Sequence, residues 1–261
     1  EILTAEMIHR ACLDAGLESR YVFIVDSMDP LRRVYDFLSP EYEKYIGVPL
    51  AYIPSPNPDG TPSTGSVSYA EYFLNPFLES LREIGVFPEI EMNHEAYEDG
   101  RFSEKIDEAI CNRQKIREII MTVSGRDLPE DWFPYNPRGP NGSMDGVKVT
   151  DYEYPFVSWE DEDGVTGTAD IRKADGKMPW RIDWAARWII HQVTCEPAGK
   201  DHGAAGGSFD TGIPICEVLG GTPPEKIVYE WIQLKGMGPM SSSSGVTIGP
   251  MEALSLVPPE I

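Results

Sequence analysis

Apolar positions follow two rhythms along this chain. In the first they return every three to four residues, as on one face of a helix. Ala5, Ile8, Ala11, Cys12 and Ala15 do so between Thr4 and Ala15; Tyr72, Phe73, Phe77, Leu81 and Ile84 do so between Ser68 and Ile84. Ile106, Ala109, Ile110, Ile116, Ile119 and Ile120, with Arg113 in step, predict one long helix from Ser103 to Val123. Thr4 caps the first helix, Gly16 ends it, and Pro76 bends the second. In the other rhythm the runs are short and nearly unbroken. Tyr21-Val22-Phe23-Ile24-Val25 reads as a strand buried on both faces, the habit of parallel sheets. It empties into the polar loop Asp26-Ser27-Met28-Asp29-Pro30, and open α/β sheets bind ligands at such carboxyl ends. Phe87–Met92, Val193–Cys195 and Ile227–Leu234 are further strands; Asp183–His191 and Ile213–Leu219 are further helices.

Loops and a change of texture separate these elements. Pro54 to Gly65 is a Pro-, Gly- and Ser-rich surface loop. Asp127 to Gly176 is rich in Pro, Gly and Asp, with short β pieces at Val147–Val149 and Tyr154–Val157, and reads as a small β insertion. No internal repeat is present. Strands alternating with helices, split by a β-rich piece, predict the α/β class: a doubly wound, Rossmann-like parallel sheet interrupted by a module.

Composition narrows the function. The 261 residues are 41% hydrophobic, enough for a sizeable core and too much for a wholly disordered chain. Lys+Arg number 22 against 43 Asp+Glu, a net charge of −21, which excludes an even basic coat for DNA but not a local patch. The acid surplus reads as a solubility device. No run of eighteen apolar residues exists, so no membrane span is expected, and the opening Glu1-Ile2-Leu3-Thr4 shows no leader pattern. Cys12, Cys111, Cys195 and Cys216 are far apart, as reduced thiols in a cytoplasm are.

Three segments can carry chemistry. In Gly199-Lys200-Asp201-His202-Gly203-Ala204-Ala205-Gly206-Gly207-Ser208, small residues let a ligand approach the backbone, helix-start N–H groups favour an anion, and an Asp can accept from ribose hydroxyls. A tight capped turn is the plain alternative. Met240-Ser241-Ser242-Ser243-Ser244-Gly245 offers hydroxyls and amides to phosphate oxygens, or is a serine linker. Trp180-Arg181-Ile182-Asp183-Trp184-Ala185-Ala186-Arg187-Trp188 can wall an apolar slot with one anionic group, suited to a cationic side chain. It is equally an amphipathic helix with core tryptophans and an Asp cap.

In order along the chain, these segments together with Asp29-Pro30-Leu31-Arg32-Arg33-Val34-Tyr35, Val123-Ser124-Gly125-Arg126-Asp127-Leu128-Pro129-Glu130-Asp131-Trp132, Ala169-Asp170-Ile171-Arg172-Lys173, Thr194-Cys195-Glu196-Pro197 and Asp210-Thr211-Gly212 resemble the catalytic domain of archaeal-type class I lysyl-tRNA synthetases. The resemblance implies that residues 1–95 and 176–261 form the two halves of a class I catalytic domain, with residues 96–175 as the connective insertion that handles the tRNA acceptor end. It implies ATP with Mg²⁺, L-lysine and tRNA(Lys) as ligands, and a lysyl-adenylate formed and then transferred to a terminal ribose. Carried over by position, Gly199, Asp201, His202, Gly206, Gly207, Met240 and Ser241 bind ATP. Trp180, Asp183, Trp184 and His202 hold lysine. Ser241, Ser242, Ser243 and His202 are the catalytic set.

Four departures from the family pattern stand out. The HIGH signature and the first strand are expected upstream of Glu1, and a helical anticodon-binding domain downstream of Ile261, so the chain reads as a fragment, inactive alone. Ser244 stands where the family's serine loop carries Lys. Gly139 and Gly142 occupy the spacing of a zinc-binding Cys pair, so no structural zinc is expected and aromatics hold the insertion instead. Arg113, Lys115, Arg117, Arg126, Arg138 and Lys148 are either the RNA-facing patch or scattered surface charge. Two rival readings remain: an inactive paralogue that binds lysine, nucleotide or RNA, and a class I nucleotidyl transferase acting on another carboxylate.

Overall fold

The computed structural model describes residues 2–230, 233–234, 238–239 and 248–256. Helix α1 (Ile2–Asp14) leads through a turn to strand β1 (Val22–Val25). Helix α2 (Tyr69–Glu83) then carries the chain to β2 (Glu89–Met92), which pairs parallel with β1, Val22 opposite Glu89 and Val25 opposite Met92. Ser68 starts α2 with a capping box: its hydroxyl accepts from the Glu71 N–H at 3.2 Å, and Glu71 accepts from the Ser68 N–H at 2.8 Å. The unit is the β-α-β crossover that the apolar run at Tyr21–Val25 predicts.

Helices α3 (Asn93–Glu98), α4 (Ser103–Cys111) and α5 (Arg113–Ser124) follow. The single helix expected from Ser103 to Val123 is thus two, broken at Asn112, whose backbone sits at φ −102°, ψ 17° and whose amide donates back to the Glu108 carbonyl. The apolar stripe continues on both sides of the break, with Ile106, Ala109, Ile110, Ile116 and Ile120 all buried, so periodicity alone does not reveal it. Strand β3 (Asn136–Pro137) then opens the β-rich stretch; β4 (Val147–Glu153), β5 (Phe156–Asp161) and β6 (Thr166–Asp170) form an antiparallel sheet, and β7 (Gly176–Lys177) returns to pair with β3. At Gly167 a Cβ would stand 2.3 Å from the Trp159 ring, so the indole lies flat on bare backbone there.

Helix α6 (Trp180–Ile190) begins three residues earlier than expected, with Pro179 rather than Asp183 at its N-cap. Strand β8 (Cys195–Gly199) follows, shifted downstream from the expected Val193–Cys195. Then come α7 (Lys200–Gly203), α8 (Ser208–Val218) and β9 (Glu225–Tyr229), with β9 parallel to β8 and Gly199 opposite Tyr229. The expected strand to Leu234 ends at Tyr229; β10 (Gln233–Leu234) and β11 (Gly238–Pro239) make a separate antiparallel pair, and α9 (Pro250–Leu256) closes the described chain.

Among the described residues the parallel strands form two pairs, β1–β2 and β8–β9, each with its own crossover helix. A cavity of about 500 Å³ is lined by β1 on one side and β8 on the other, with α1 and the tryptophans of α6 completing the wall. The main core lies behind it, where Trp188, Phe209, Ile182, Ile215, Met178 and Tyr97 pack together. The expected core stripe on α2 is corrected. Tyr69, Ala70 and Leu81 are buried, whereas Tyr72 is 42% and Phe73 45% exposed. The period is helical as expected, but the buried face is rotated toward Tyr69 and Ala70.

Candidate functional site

The wall of the cavity is built by helix geometry. Trp180, Trp184 and Trp188 follow one another at i, i+4, i+8 and so form a ladder on one face of α6. Trp180 and Trp184 stack with ring centroids 5.0 Å apart and an interplanar angle of 29°, and Trp184 and Trp188 lie 5.2 Å apart. Trp188 is buried against Phe209 of α8; Trp180 and Trp184 are half-buried and line the cavity. His202, on α7, comes to 5.2 Å from Trp180 and 5.9 Å from Trp184. The sequence places these residues in two separate segments; the fold joins them as one aromatic corner.

The glycine turn lies at the carboxyl end of β8. Gly199 ends the strand and lines the cavity; a Cβ there would stand 2.7 Å from the Asp201 carboxylate and 3.4 Å from the Tyr229 hydroxyl. Asp201 and His202 both project toward solvent, with Asp201 Oδ2 3.6 Å from His202 Nε2. Gly206 adopts φ +75°, a left-handed turn open to glycine, and its N–H donates to Asp210 at 3.1 Å. Gly207 lets the chain fold back on itself, because a Cβ there would lie 2.5 Å from the His202 carbonyl oxygen. Asp210 is fixed in turn by Lys226 of β9, at 2.8 Å.

Asp183, expected beside Trp180 and Trp184, does not line the cavity. It has no solvent exposure. Tyr97 donates to its Oδ1 at 2.5 Å, Arg187 stands 2.5 Å and Lys177 3.5 Å from its Oδ2. The Arg187 approach is an off-axis ion pair rather than a directed hydrogen bond. Burial raises the Asp183 carboxyl, but Arg187, Lys177 and the Tyr97 hydroxyl outweigh it and hold the pKa below the ordinary range. Burial likewise works against the Arg187 charge, and Asp183 and Asp26 more than offset it. The signal for this was an acid and an arginine four residues apart on a tryptophan-rich helix; Tyr97 and Lys177 are too distant in sequence to be anticipated.

The network reaches the cavity through its outer members. Arg187 donates to Asp26 at 2.5 Å, and Asp26, 53% exposed, lines the cavity at the end of β1. Lys177 donates to Asp29 at 2.6 Å. The other carboxylate at the aromatic corner is Glu196, which accepts from the Trp184 indole N–H at 3.3 Å. Glu196, Asp26 and Tyr229 were not named as site residues from the sequence, although Asp26 opens the loop expected to meet ligands and Glu196 lies in a segment that carries the family resemblance. Met240, Ser241, Ser242, Ser243 and Ser244 lie outside the described residues.

In the insertion, Gly139 and Gly142 form a tight turn, with the Gly142 N–H donating to the Gly139 carbonyl at 2.9 Å. Among the described residues no three His, Cys, Asp or Glu side chains converge as a metal cage. Several cations of the expected basic patch have internal partners: Arg117 donates to the Leu128 and Pro129 carbonyls, and Arg138 lies 4.4 Å over the Tyr52 ring. No helix among the described residues is long and apolar enough to cross a membrane.

Comparison with known proteins bears on this arrangement. The family model described as tRNA synthetases class I (K) matches residues 1–261. The lysine–tRNA ligase of Thermoplasma acidophilum is 44% identical over 263 positions, covering 100% of this chain and 50% of the relative. The lysine–tRNA ligase of Archaeoglobus fulgidus is 44% identical with 52% of its length covered, and that of Methanocaldococcus jannaschii 44% identical with 49% covered. The chain spans about half the length of the curated relatives it matches.

Proposed function

Because the chain belongs to the class I tRNA synthetases of the lysine type, we propose that it is the catalytic portion of a cytoplasmic enzyme that ligates L-lysine to tRNA(Lys) through a lysyl-adenylate. The observation that carries the reading is the convergence of Trp180, Trp184 and His202 with Gly199 at the carboxyl end of β8, all four on one cavity. A lysine side chain needs an aromatic wall for its methylenes and ammonium, and a carboxylate nearby. Trp180, Trp184 and His202 supply the wall; Glu196 and Asp26, rather than Asp183, supply the carboxylates.

The adenosine of ATP fits the turn beside it. Gly207 holds backbone where a Cβ would clash, Gly199 keeps the strand end bare, and Asp201 presents its half-exposed carboxylate to ribose hydroxyls. Gly206 completes the turn. With both substrates seated, the lysine carboxylate attacks the α-phosphate and pyrophosphate leaves; the tRNA terminal ribose hydroxyl then attacks the adenylate carbonyl and AMP leaves. No group of the protein forms a covalent intermediate, so positioning and charge stabilisation carry the rate. Met240 and Ser241–Ser243 are assigned to grip the triphosphate, and Mg²⁺ accompanies the phosphates to neutralise them.

ATP–pyrophosphate exchange with lysine, measured on the full-length protein that carries this chain, tests the reading. Exchange that depends on lysine and is absent with arginine or glutamate is expected. Exchange with another amino acid would overturn the substrate assignment, and lysine binding without any exchange would favour a non-catalytic binding module.

A further inference from the structure

Asp26 is a carboxylate that has to be held. It directly follows the last residue of β1, and its side chain is 53% exposed. It borders two open spaces: the cavity beside the tryptophans, and a neighbouring one of about 530 Å³ walled by Tyr35, Phe37 and Phe73. An untethered carboxylate there would sweep through both, and a ligand would have to freeze it on binding.

The tether comes from Arg187. Its Nη1 donates to Asp26 Oδ1 at 2.5 Å, while its Nη2 stands 2.5 Å from Asp183 Oδ2. One planar guanidinium therefore bridges two carboxylates. An ammonium, a point charge on a flexible stem, does not reproduce that rigid fork. The inner end of the bridge is fixed. Asp183 has no exposure, accepts from the Tyr97 hydroxyl at 2.5 Å and lies 3.5 Å from Lys177, and the Arg187 side chain is 5% exposed. Of Asp183, Arg187 and Asp26, only Asp26 stands in the open.

The same helix carries the aromatic wall. Asp183 and Arg187 each precede a tryptophan of the ladder, Trp184 and Trp188, so the ion pair runs beside the ring stack, about 100° round α6. Trp180, Trp184 and the anchor of Asp26 thus belong to one rigid element, which sets the spacing from ring faces to carboxylate. We propose that Arg187 is a positioning residue for the amino-acid substrate: anchored on Asp183, it holds Asp26 where the carboxylate meets an ammonium of the lysine lying on the tryptophans. Arg187 acts through Asp26, and what it contributes is preorganisation. This inference rests on the reading that the cavity takes lysine.

The test is a double-variant cycle on L-lysine binding to the full-length protein that carries this chain, read by calorimetry. Arg187→Lys keeps a charge beside Asp183 but loses the fork, and circular dichroism checks that the fold is retained. The Kd for L-lysine is expected to rise about tenfold, with the affinity for ATP unchanged. Asp26→Asn is expected to weaken L-lysine at least as much. In the Asp26→Asn background Arg187→Lys should then have no further effect, because nothing is left for it to position. A merely structural role would instead add the same loss in both backgrounds. If Arg187→Lys does not fold, Asp183→Asn combined with Arg187→Gln removes both buried charges together and serves the same cycle. Equal losses with and without Asp26, an unchanged Kd in a folded Arg187→Lys protein, or an equal loss of ATP affinity would overturn the proposal. L-lysine binding with independent effects of the two residues removes this inference alone. A protein that binds no L-lysine removes the functional reading and the inference with it.

Discussion

Asp183 and Arg187 stand one helical turn apart on the inner face of α6, 2.5 Å from each other, with side-chain exposures of 0% and 5%. Around them buried Lys177 and Tyr97, with half-exposed Asp26 at the outer end, complete a network that ties β7 and α3 to the end of β1. Removing one member leaves the others charged and unpaired in the core. Asp183→Ala is therefore expected to cost about 3–5 kcal/mol, far above a surface change. Urea unfolding of the two proteins measures it. Because the folded-state pKa of Asp183 is lowered, its stabilisation is complete above the ordinary aspartate value of 3.8 and lost as the pH falls from there through the folded value.

His191 titrates in a separate window. Burial lowers its pKa from 6.5, reinforced by Arg101, Arg187 and Arg20, with Glu91 opposing. The folded protein thus holds it neutral while the unfolded chain takes up a proton. Stability is full above pH 6.5 and declines as the pH falls below it, until the lowered folded value is passed. In His191→Gln this decline should disappear from melting curves collected across that window, leaving only the acid loss of the carboxylates.

At the cavity, Trp180→Ala and His202→Ala each remove one side of the aromatic corner. Each is expected to raise the KM for lysine about five- to thirtyfold, the effect of losing about 1–2 kcal/mol of cation–π contact, with a smaller change in the KM for ATP. Steady-state exchange kinetics separate the two constants.

Gly207→Ala tests the glycine turn. The new methyl would stand 2.5 Å from the His202 carbonyl oxygen, a backbone atom that can yield only by moving α7. A loss of about 1–3 kcal/mol in thermal stability is expected, with weaker binding of both lysine and ATP, since His202 shifts with the turn.

The insertion is expected to be indifferent to chelators. In its β4–β6 sheet Trp159 packs on Gly167, and the turn at Gly139–Gly142 is closed by a backbone hydrogen bond. Incubation with a strong chelator should leave the melting temperature unchanged; a lower one would show a metal in the fold.

Much of this was legible in the chain. β1 announced itself as an unbroken apolar run, although its four residues are half-buried rather than covered on both faces, and α2 by its period and its Ser68–Glu71 cap. The phase of α2 was not legible: Phe73 belongs to an open cavity, and exposed aromatics carry the same signature as buried ones. The break at Asn112 was hidden because the stripe resumes in register. The aromatic corner was readable as residues but not as a corner, since Trp180 and His202 meet only after β8 and α7 have folded back. The buried network of Asp183 was not legible because its compensating groups, Tyr97 and Lys177, come from elements that sequence spacing cannot bring near α6.

The most direct measurement is attachment of labelled lysine to tRNA(Lys), scored in parallel with the other amino acids. Lysine ester on the tRNA, dependent on ATP and lost in a Trp180→Ala, His202→Ala double variant, is expected. Attachment of a different amino acid, or lysine attachment unaffected by the double variant, would contradict the account.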